Sequence, residues 1–587
     1  MKLLALLLTI FSIASNAFAE APKRPNIVLI VADDWGFSDV GSFGGEMSTP
    51  NLDSLAMQGV RFSNFHVTAS CAPTRSILVT GVDHHRNGVG NMPETIPRSH
   101  LGKPGYHGVL GTHVVSVANL LRDSGYATSV SGKWHLGHED YNTPLARGFE
   151  RSFIQADSGS DNYEKKPYAT LKEHVNFIDN GKETDLPADF YSTTFYTNKA
   201  IEYIKGSQAS GKPFFSYIAY QANHIPLQAP KVFVDKYKGK YKDGWKVLRQ
   251  QRRDKAIELG LIPKDAPMQA MAQNDWSALS AADKAYQERR MEVYAGMAEA
   301  MDYEVGRLIA YLKESGQFDN TVFIFTSDNG AEGSDPFAVK AGKLWIDANY
   351  STDIDRLGGK GAYSIIGPSW AAAAVSPLNT FKFWAGEGGI RVPFIISGVP
   401  QAQLGKVKST FTNVADIAPT LLALAGVQQT DGTYQGKPVE PMIGQSMVPV
   451  ITGQTERVHA ADKAIFYELS GNVAVYKGEF KLLKNMKPMG DNQWHLYNND
   501  LDPGEVTDLQ AKFPEVFKAM QDEYAAYAKA NGVLAMPEDY DPIEQVQINA
   551  FHNYYLPKLL RKIPWILAGI VLLFIGIRYW RRRKVAQ

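Results

Sequence analysis

Five short runs of mostly branched apolar residues constrain this chain more than any other feature: residues 26–31, 126–130, 214–220, 321–326 and 392–397. Each ends abruptly in polar or glycine-rich sequence, as expected for strands covered on both faces. Helical patterns separate them. The clearest spaces Met291, Tyr294, Ala298, Met301, Val305, Leu308 and Leu312 three or four residues apart, one buried face of a core helix. Strands alternating with helices predict an α/β fold, a large and mostly parallel central sheet flanked by helices. Ligands of such sheets bind beyond the carboxyl ends of the strands. Chemistry is therefore expected just after each run.

Asp33 and Asp34 follow the first run and Gly132-Lys133-Trp134-His135 the second; His224 follows the third and Asp328-Asn329-Gly330 the fourth. Singly, each has an ordinary reading. The aspartate pair serves as a turn or helix cap, and Asp-Asn-Gly is good turn chemistry. Lys133 reads as a solvated charge and His224 as a loop residue. Together they fall on one edge of one expected sheet. Asp33, Asp34, Asp328 and Asn329 offer only oxygen, which suits a hard divalent cation and argues against zinc. Ca²⁺ is expected ahead of Mg²⁺, whose stricter octahedron keeps several waters. With a cation bound, Arg75, Lys133, His135 and His224 would make a positive pocket for an ester whose leaving oxygen gains charge. The residues alone thus lead to a metal-dependent hydrolase of an anionic ester.

Composition narrows the classes further. The 61 Lys+Arg balance 61 Asp+Glu, so no basic footprint for nucleic acid exists and no such partner is expected. A hydrophobic share of 44% excludes a disordered chain. Cys71 is the single cysteine, which rules out an intramolecular disulfide.

The two ends of the chain differ from the body. Residues 1–19 combine Lys2, an apolar run over 3–13 and Ala17-Phe18-Ala19, the pattern of a secretory signal peptide. A retained anchor is disfavoured because that run is too short to span a bilayer. Near the other end an apolar run at 563–577 is bounded by Trp565 and by Tyr579-Trp580, with Arg578 and residues 581–584 basic. Fifteen residues are short for a span, but aromatic belts lengthen it. A transmembrane helix is expected at 563–580, with a cytoplasmic basic tail at 581–587. The body would then be exported, anchored to the inner membrane on its periplasmic or extracellular face. Lys558, Arg561 and Lys562 keep an interfacial helix open as the alternative. Between the ends we expect a catalytic domain over 20–455 and a linker over 541–562. A smaller α+β domain over 456–540 would lie between them, with a short antiparallel sheet containing a hairpin at 472–476 and 480–484. A body without membrane contact predicts that truncation after about Tyr540 leaves kinetics on small substrates unchanged.

The segment Cys71-Ala72-Pro73-Thr74-Arg75, followed by an apolar stretch and Thr80-Gly81, is a long and specific motif. So is Gly125-Tyr126-Ala127-Thr128 followed by Gly132-Lys133-Trp134-His135-Leu136-Gly137. In these residues the chain resembles the type I, formylglycine-dependent sulfatases of the alkaline phosphatase superfamily, in particular bacterial arylsulfatases. The likeness extends through 80–91, 147–150, 327–330, 387–393 and 502–505, whereas the apolar run at 563–577 lies outside the family pattern.

The resemblance implies an alkaline-phosphatase-like fold and a Cys71 converted to Cα-formylglycine by a formylglycine-generating or equivalent maturation enzyme. It implies that Asp33, Asp34, Asp328 and Asn329 hold Ca²⁺ together with an oxygen of the hydrated aldehyde at position 71. Arg75 and Lys133 would position that hydrate, whose hydroxyl attacks sulfur. His224 would protonate or stabilise the leaving oxygen while Lys382 clamps the sulfate. His135 would take the proton of the second hydroxyl, so that sulfate departs and the aldehyde re-forms. An unmodified serine or thiol has no second hydroxyl, which is the physical reason for modifying a cysteine. Lys382 rests on the looser signal Phe381-Lys382-Phe383, and a solvated lysine is its rival reading. The implied activity is hydrolysis of sulfate monoesters, aryl sulfates foremost. A phosphonate monoester or phosphodiester hydrolase on the same scaffold is the alternative. An inactive, anchored binding protein is a third reading, opposed by the presence of every expected catalytic position. His84 and His85 read as structural residues of a loop at the pocket mouth, and the 333–370 segment as a carrier of specificity.

Overall fold

The computed structural model describes residues 24–170, 172–271 and 275–585. The expected signal peptide lies outside them. Ten strands form the main sheet: β1 (Asn26–Ala32), β2 (Gly59–Phe62), β3 (Ala127–Lys133), β4 (Arg151–Gln155), β5 (Phe177–Asp179), β6 (Lys182–Glu183), β7 (Phe214–Ala219), β8 (Thr321–Ser327), β9 (Phe394–Ser397) and β10 (Lys406–Lys408). Their spatial order is β10-β2-β9-β8-β1-β7-β3-β4-β5-β6.

The central strands β8, β1, β7, β3 and β4 are all parallel. Toward the edges the sheet is mixed: β9 runs antiparallel to β8 and β2, and β5 to β4 and β6. The fifth apolar run therefore joins the sheet in the opposite sense to the other four, while β10 pairs parallel with β2, so only β9 and β5 run against an otherwise co-directional sheet. The reason is the connection. Residues 328–393 leave β8 at the carboxyl edge and stay there, so the next strand re-enters from the same side.

Both faces of the sheet are covered. Along β1 the alternating side chains enter two different cores, Val28 and Ile30 into one, Ile27, Leu29 and Val31 into the other. Burying each such side chain contributes about 1.5–3 kcal/mol, which makes the central strands the most expensive place to introduce a polar group. Helix α1 (Cys71–Thr80) packs on one face, and α2 (Ala281–Glu314) on the other with its Met291–Leu312 stripe buried. Ser280 starts α2 by accepting the amide of Asp283 at 3.1 Å.

A second sheet, β11 (Ile465–Leu469), β12 (Asn472–Lys477), β13 (Phe480–Lys484) and β14 (His495–Asn498), is antiparallel throughout. Its outer face packs on α3 (Pro514–Asn531) through Val473, Val475, Leu482 and Met520. Its join to the main body combines an apolar cluster, in which Tyr467, Leu469 and Tyr476 pack with Ala69, Ala385 and Ile390, with buried ion pairs. Buried Lys481 donates to Glu387 at 2.8 Å, to Glu505 at 2.6 Å and to the Ala385 carbonyl at 2.9 Å. His85 lies 2.8 Å from Glu468 of β11, and His84 meets the Glu468 carbonyl at 2.6 Å. Both histidines therefore tie the two sheets together.

The expected linker over 541–562 is a helix instead. α4 (Pro542–Ala550) passes through a π-helical turn (Phe551–Tyr555) directly into α5 (Leu556–Val585). Asp541 caps α4, accepting the amides of Ile543 and Glu544 at 2.9 Å each. Asn549 fastens it to the body, donating to the Glu94 and Ile96 carbonyls at 2.9 Å each. Beyond the body the stretch Pro542–Arg583 holds an unburied 18-residue window of mean hydropathy 1.9, and by length and composition it is able to cross a membrane. The apolar run at 563–577 is the middle of this longer helix, whose flanks carry Lys558, Arg561, Lys562 and Arg578.

Candidate active site

Strand register brings the site together. Ala32 pairs with Ser327, Val31 with Ala219, and Ala219 with Gly132. Chains leaving β1, β8 and β3 at one level place Asp33, Asp328 and Lys133 side by side. Gly132 sits at φ +112° and a Cβ there would lie 1.9 Å from the Ala219 carbonyl oxygen, so only glycine lets these strands close up. Helix α1 supplies Cys71 and, one turn later on the same face, Arg75. Its end is set by Gly81 in the left-handed conformation. Asp34 and His135 are themselves held at φ +65° and +56°, strained values for such residues that mark a functional edge.

All ten expected site residues are buried. Eight of them, Cys71 included, are joined by direct contacts around the thiol, and the two histidines lie at the edge of this cluster. The thiol lies 3.6 Å from Asp33 Oδ1 and 4.0 Å from Asp34 Oδ1. Lys133 donates to both oxygens of Asp33 at 3.0 and 2.8 Å. Arg75 donates to Asp328 Oδ2 through Nε at 2.8 Å and approaches it with a second nitrogen at 2.6 Å; it also donates to the Lys133 carbonyl at 3.0 Å. Lys382 Nζ reaches Asp34 Oδ1 at 2.7 Å, so this lysine is buried and ion-paired instead of solvated. Asn329 Nδ2 donates to the same oxygen at 2.6 Å. His135 Nε2 meets Glu94 at 3.1 Å. His224 stands slightly apart, its Nδ1 donating to the Ile225 carbonyl at 2.6 Å and its ring edge-on to Tyr168 at 4.9 Å.

The donor set fits a hard cation. Asp33, Asp34, Asp328 and Cys71 converge closely enough to share one ion. Asp34 Oδ2 and Asn329 Oδ1 are buried oxygens with no hydrogen-bond partner, an expensive arrangement unless something positive sits against them. Burial, reinforced by Asp328, pushes Asp33 up to about 8, again the mark of carboxylates short of positive charge. Burial would also raise Asp328, but Arg75 and Lys133 outweigh it and keep this carboxyl below its ordinary value.

Three further directions define what the groups can do. Burial, then the Asp328 carboxylate, push the Cys71 thiol well up, so an unmodified thiol stays protonated and is a poor nucleophile. Burial outweighs Glu94 at His135 and leaves that imidazole below its ordinary value. Since Nε2 donates to Glu94, the free Nδ1 is its basic atom. Burial, together with Lys133 and Lys382, holds His224 well below the ordinary range.

Two residues escaped the sequence reading. Glu94 orients His135, and Glu332 makes a second ion pair with Lys382 at 3.1 Å. Neither follows a strand, and nothing in their local sequence announces a partner far along the chain.

A family model described as Sulfatase matches residues 25–427, and another, described as N-sulphoglucosamine sulphohydrolase, C-terminal, matches 381–529. The chain belongs to the sulfatase family. An uncharacterized sulfatase of Schizosaccharomyces pombe is 37% identical over 541 residues, covering 90% of this chain and 97% of that protein. An arylsulfatase of Klebsiella aerogenes is 36% identical over 440 residues, covering 74% and 94%. The solved structure of Ps i-CgsB in complex with k-i-k-neocarrahexaose superposes with a TM-score of 0.62 at 25% identity, covering 90% and 98%. This sulfatase is a sulfuric ester hydrolase with the alkaline-phosphatase-like fold. Family membership implies a formylglycine and a metal ion, which the buried cysteine and its orphaned oxygens accommodate.

Proposed function

We propose that the enzyme hydrolyses aryl sulfate monoesters at residue 71, with Asp33, Asp34, Asp328 and Asn329 holding Ca²⁺. One observation carries this reading: a single buried cysteine lies among an all-oxygen ligand set and three cationic side chains at the carboxyl edge of the sheet. The cation supplies Lewis acidity that favours an ionised oxygen at position 71. Formylglycine, as its hydrate, supplies the two hydroxyls the chemistry needs, one to attack and one to be deprotonated.

The chain's own side chains do the rest. Lys133 and Lys382 bring positive charge to the sulfate, and Arg75 fixes Asp328 and the Lys133 backbone so that α1 cannot shift. His224 keeps a proton on Nδ1 through the Ile225 carbonyl, which leaves Nε2 for the leaving oxygen. A bound sulfate ester offsets the two lysines that hold this ring neutral, so Nε2 gains a proton when substrate arrives. His135 Nδ1 accepts the proton that releases sulfate, with Glu94 holding the ring.

The body would lie outside the cytoplasm, delivered by the 1–19 segment, matured by a formylglycine-generating or equivalent enzyme and held at the membrane by α5. The catalytic assignment is tested by comparing 4-nitrophenyl sulfate with the matching phosphonate monoester and phosphodiester. We expect a much higher kcat/KM for the sulfate, and Cys71→Ala to abolish it without unfolding the protein. The reverse ranking would make the enzyme a phosphonate or phosphodiester hydrolase.

A further inference from the structure

Beside the catalytic lysine lies a cavity of about 850 Å³. Lys382 and its neighbours Phe381, Phe383 and Trp384 form one side. Gly333, Ala338 and Val339, from the 333–370 segment, form a second. The third side is α4 and the turn after it, through Ile543, Gln547, Ile548 and Phe551. This helix lies beyond residue 529, where the matched family models end.

We propose that α4 is the wall of the leaving-group end of the substrate cleft, and that the cleft selects sulfate esters of bulky apolar alcohols or phenols. The inference rests on the sulfatase reading of the same site and adds the substrate's shape and polarity. Three observations argue for it. Lys382 is shared by the cavity wall and the reacting centre, its ammonium 2.7 Å from Asp34 beside Cys71, so the cavity adjoins the place where the sulfate would sit. Its walls are mainly aromatic and aliphatic. The charged groups at its rim include Asp335, Asp541 and Glu544, which repel a polyanion such as a multiply sulfated glycan.

The helix is also placed to stay. Asn549 grips the carbonyl of Glu94, whose carboxylate orients His135, and Thr170 donates to Gln547 at 3.2 Å. Ile548 and Phe551 are 39% and 49% exposed, apolar surface left open on the chain that leads straight into α5. A ligand with an apolar body covers that surface, and a sugar does not. The expectation that truncation after Tyr540 leaves kinetics on small substrates unchanged does not extend to large apolar esters, for which the same cut removes the cavity wall.

The test uses the full chain in lipid nanodiscs with three substrates: 4-nitrophenyl sulfate, pyren-1-yl sulfate and a sulfated galactan hexasaccharide. Wild type is expected to prefer the pyrenyl ester to the hexasaccharide. Ile548→Asp and Phe551→Ala should each lower kcat/KM for the pyrenyl ester about tenfold, mainly through KM, as loss of one apolar contact does. The same variants should change 4-nitrophenyl sulfate turnover less than about twofold, because one ring does not reach α4. An equal loss on both aryl esters would make α4 a clamp on the Glu94 loop and overturn the proposal, as would no loss on either. Preference for the hexasaccharide with normal 4-nitrophenyl sulfate turnover would also overturn it while leaving the sulfatase reading intact. Failure of wild type on every sulfate would sink that reading itself.

Discussion

Two buried oxygens without partners, Asp34 Oδ2 and Asn329 Oδ1, state the site's requirement for positive charge at the level of single atoms. Purified enzyme is therefore expected to carry about one Ca²⁺ per chain by elemental analysis, and Asn329→Ala to weaken calcium binding about tenfold or more. Zinc at full occupancy in active enzyme would contradict the ligand argument. His135 supports a second prediction. It works as a base only when neutral, and burial holds it below 6.5, so the acid limb of kcat should lie below that pH. Glu94 raises the ring, so Glu94→Gln should move the limb to lower pH. A shift to higher pH in the rate profile would place the base elsewhere.

At the scale of elements, the ion-paired join between the two sheets matters most. Lys481 stands between Glu387 and Glu505 in a region closed to water. Burial is the main cause that pushes Glu505 up to about 7, while at Glu387 burial is outweighed by Lys481 and His66, which hold it well below its ordinary range. Lys481→Met would leave two buried carboxylates without their shared cation and should cost about 3–5 kcal/mol in urea unfolding. The sign of its pH dependence follows. Without the lysine Glu505, already raised by burial, loses the charge that lowers it, so the variant's stability is greatest in acid and falls as pH rises through the folded value of Glu505. A deficit equal at pH 5 and pH 8 would mean that the carboxylates are neutralised by other groups. The segments 387–393 and 502–505, which carry part of the family resemblance, thus meet across this join and not at Cys71.

For the whole molecule the decisive feature is one continuous helical path from the cavity wall to a membrane-length apolar helix. Among the described residues this is the one helix long and apolar enough to cross a membrane, so α5 is the segment on which the proposed attachment is tested. Full-length protein should remain with the membrane fraction after a high-salt wash and leave it only in detergent, whereas a chain cut after Val585 of α5 should behave like the full-length protein and one cut after Ala550 should be released. Release of the full-length protein by salt alone would identify α5 as an interfacial helix.

Local chemistry was enough to locate five of the ten main-sheet strands, the hairpin of the second sheet, the Met291–Leu312 stripe and the residues after those strands, because side-chain period and strand-end polarity are short-range properties. The motifs around Cys71 and Lys133 are likewise contiguous, so Cys71, Arg75, Lys133 and His135 can be nominated from their neighbours along the chain, whereas the burial of all ten nominated residues is a property of the folded chain. Residues whose role depends on a distant partner cannot be nominated this way. Glu94 acquires meaning from His135, Glu332 from Lys382, and Lys481 from two carboxylates, each contact closing a loop of many residues. The sense of β9 depended on where a 66-residue connection chose to stay, and α4 looked like a linker because its anchoring contacts are carbonyls on the Glu94 loop. Composition and period decide which segments become strands and helices; which of them meet is decided by burial and hydrogen bonding across the folded chain, and that only the tertiary structure contains.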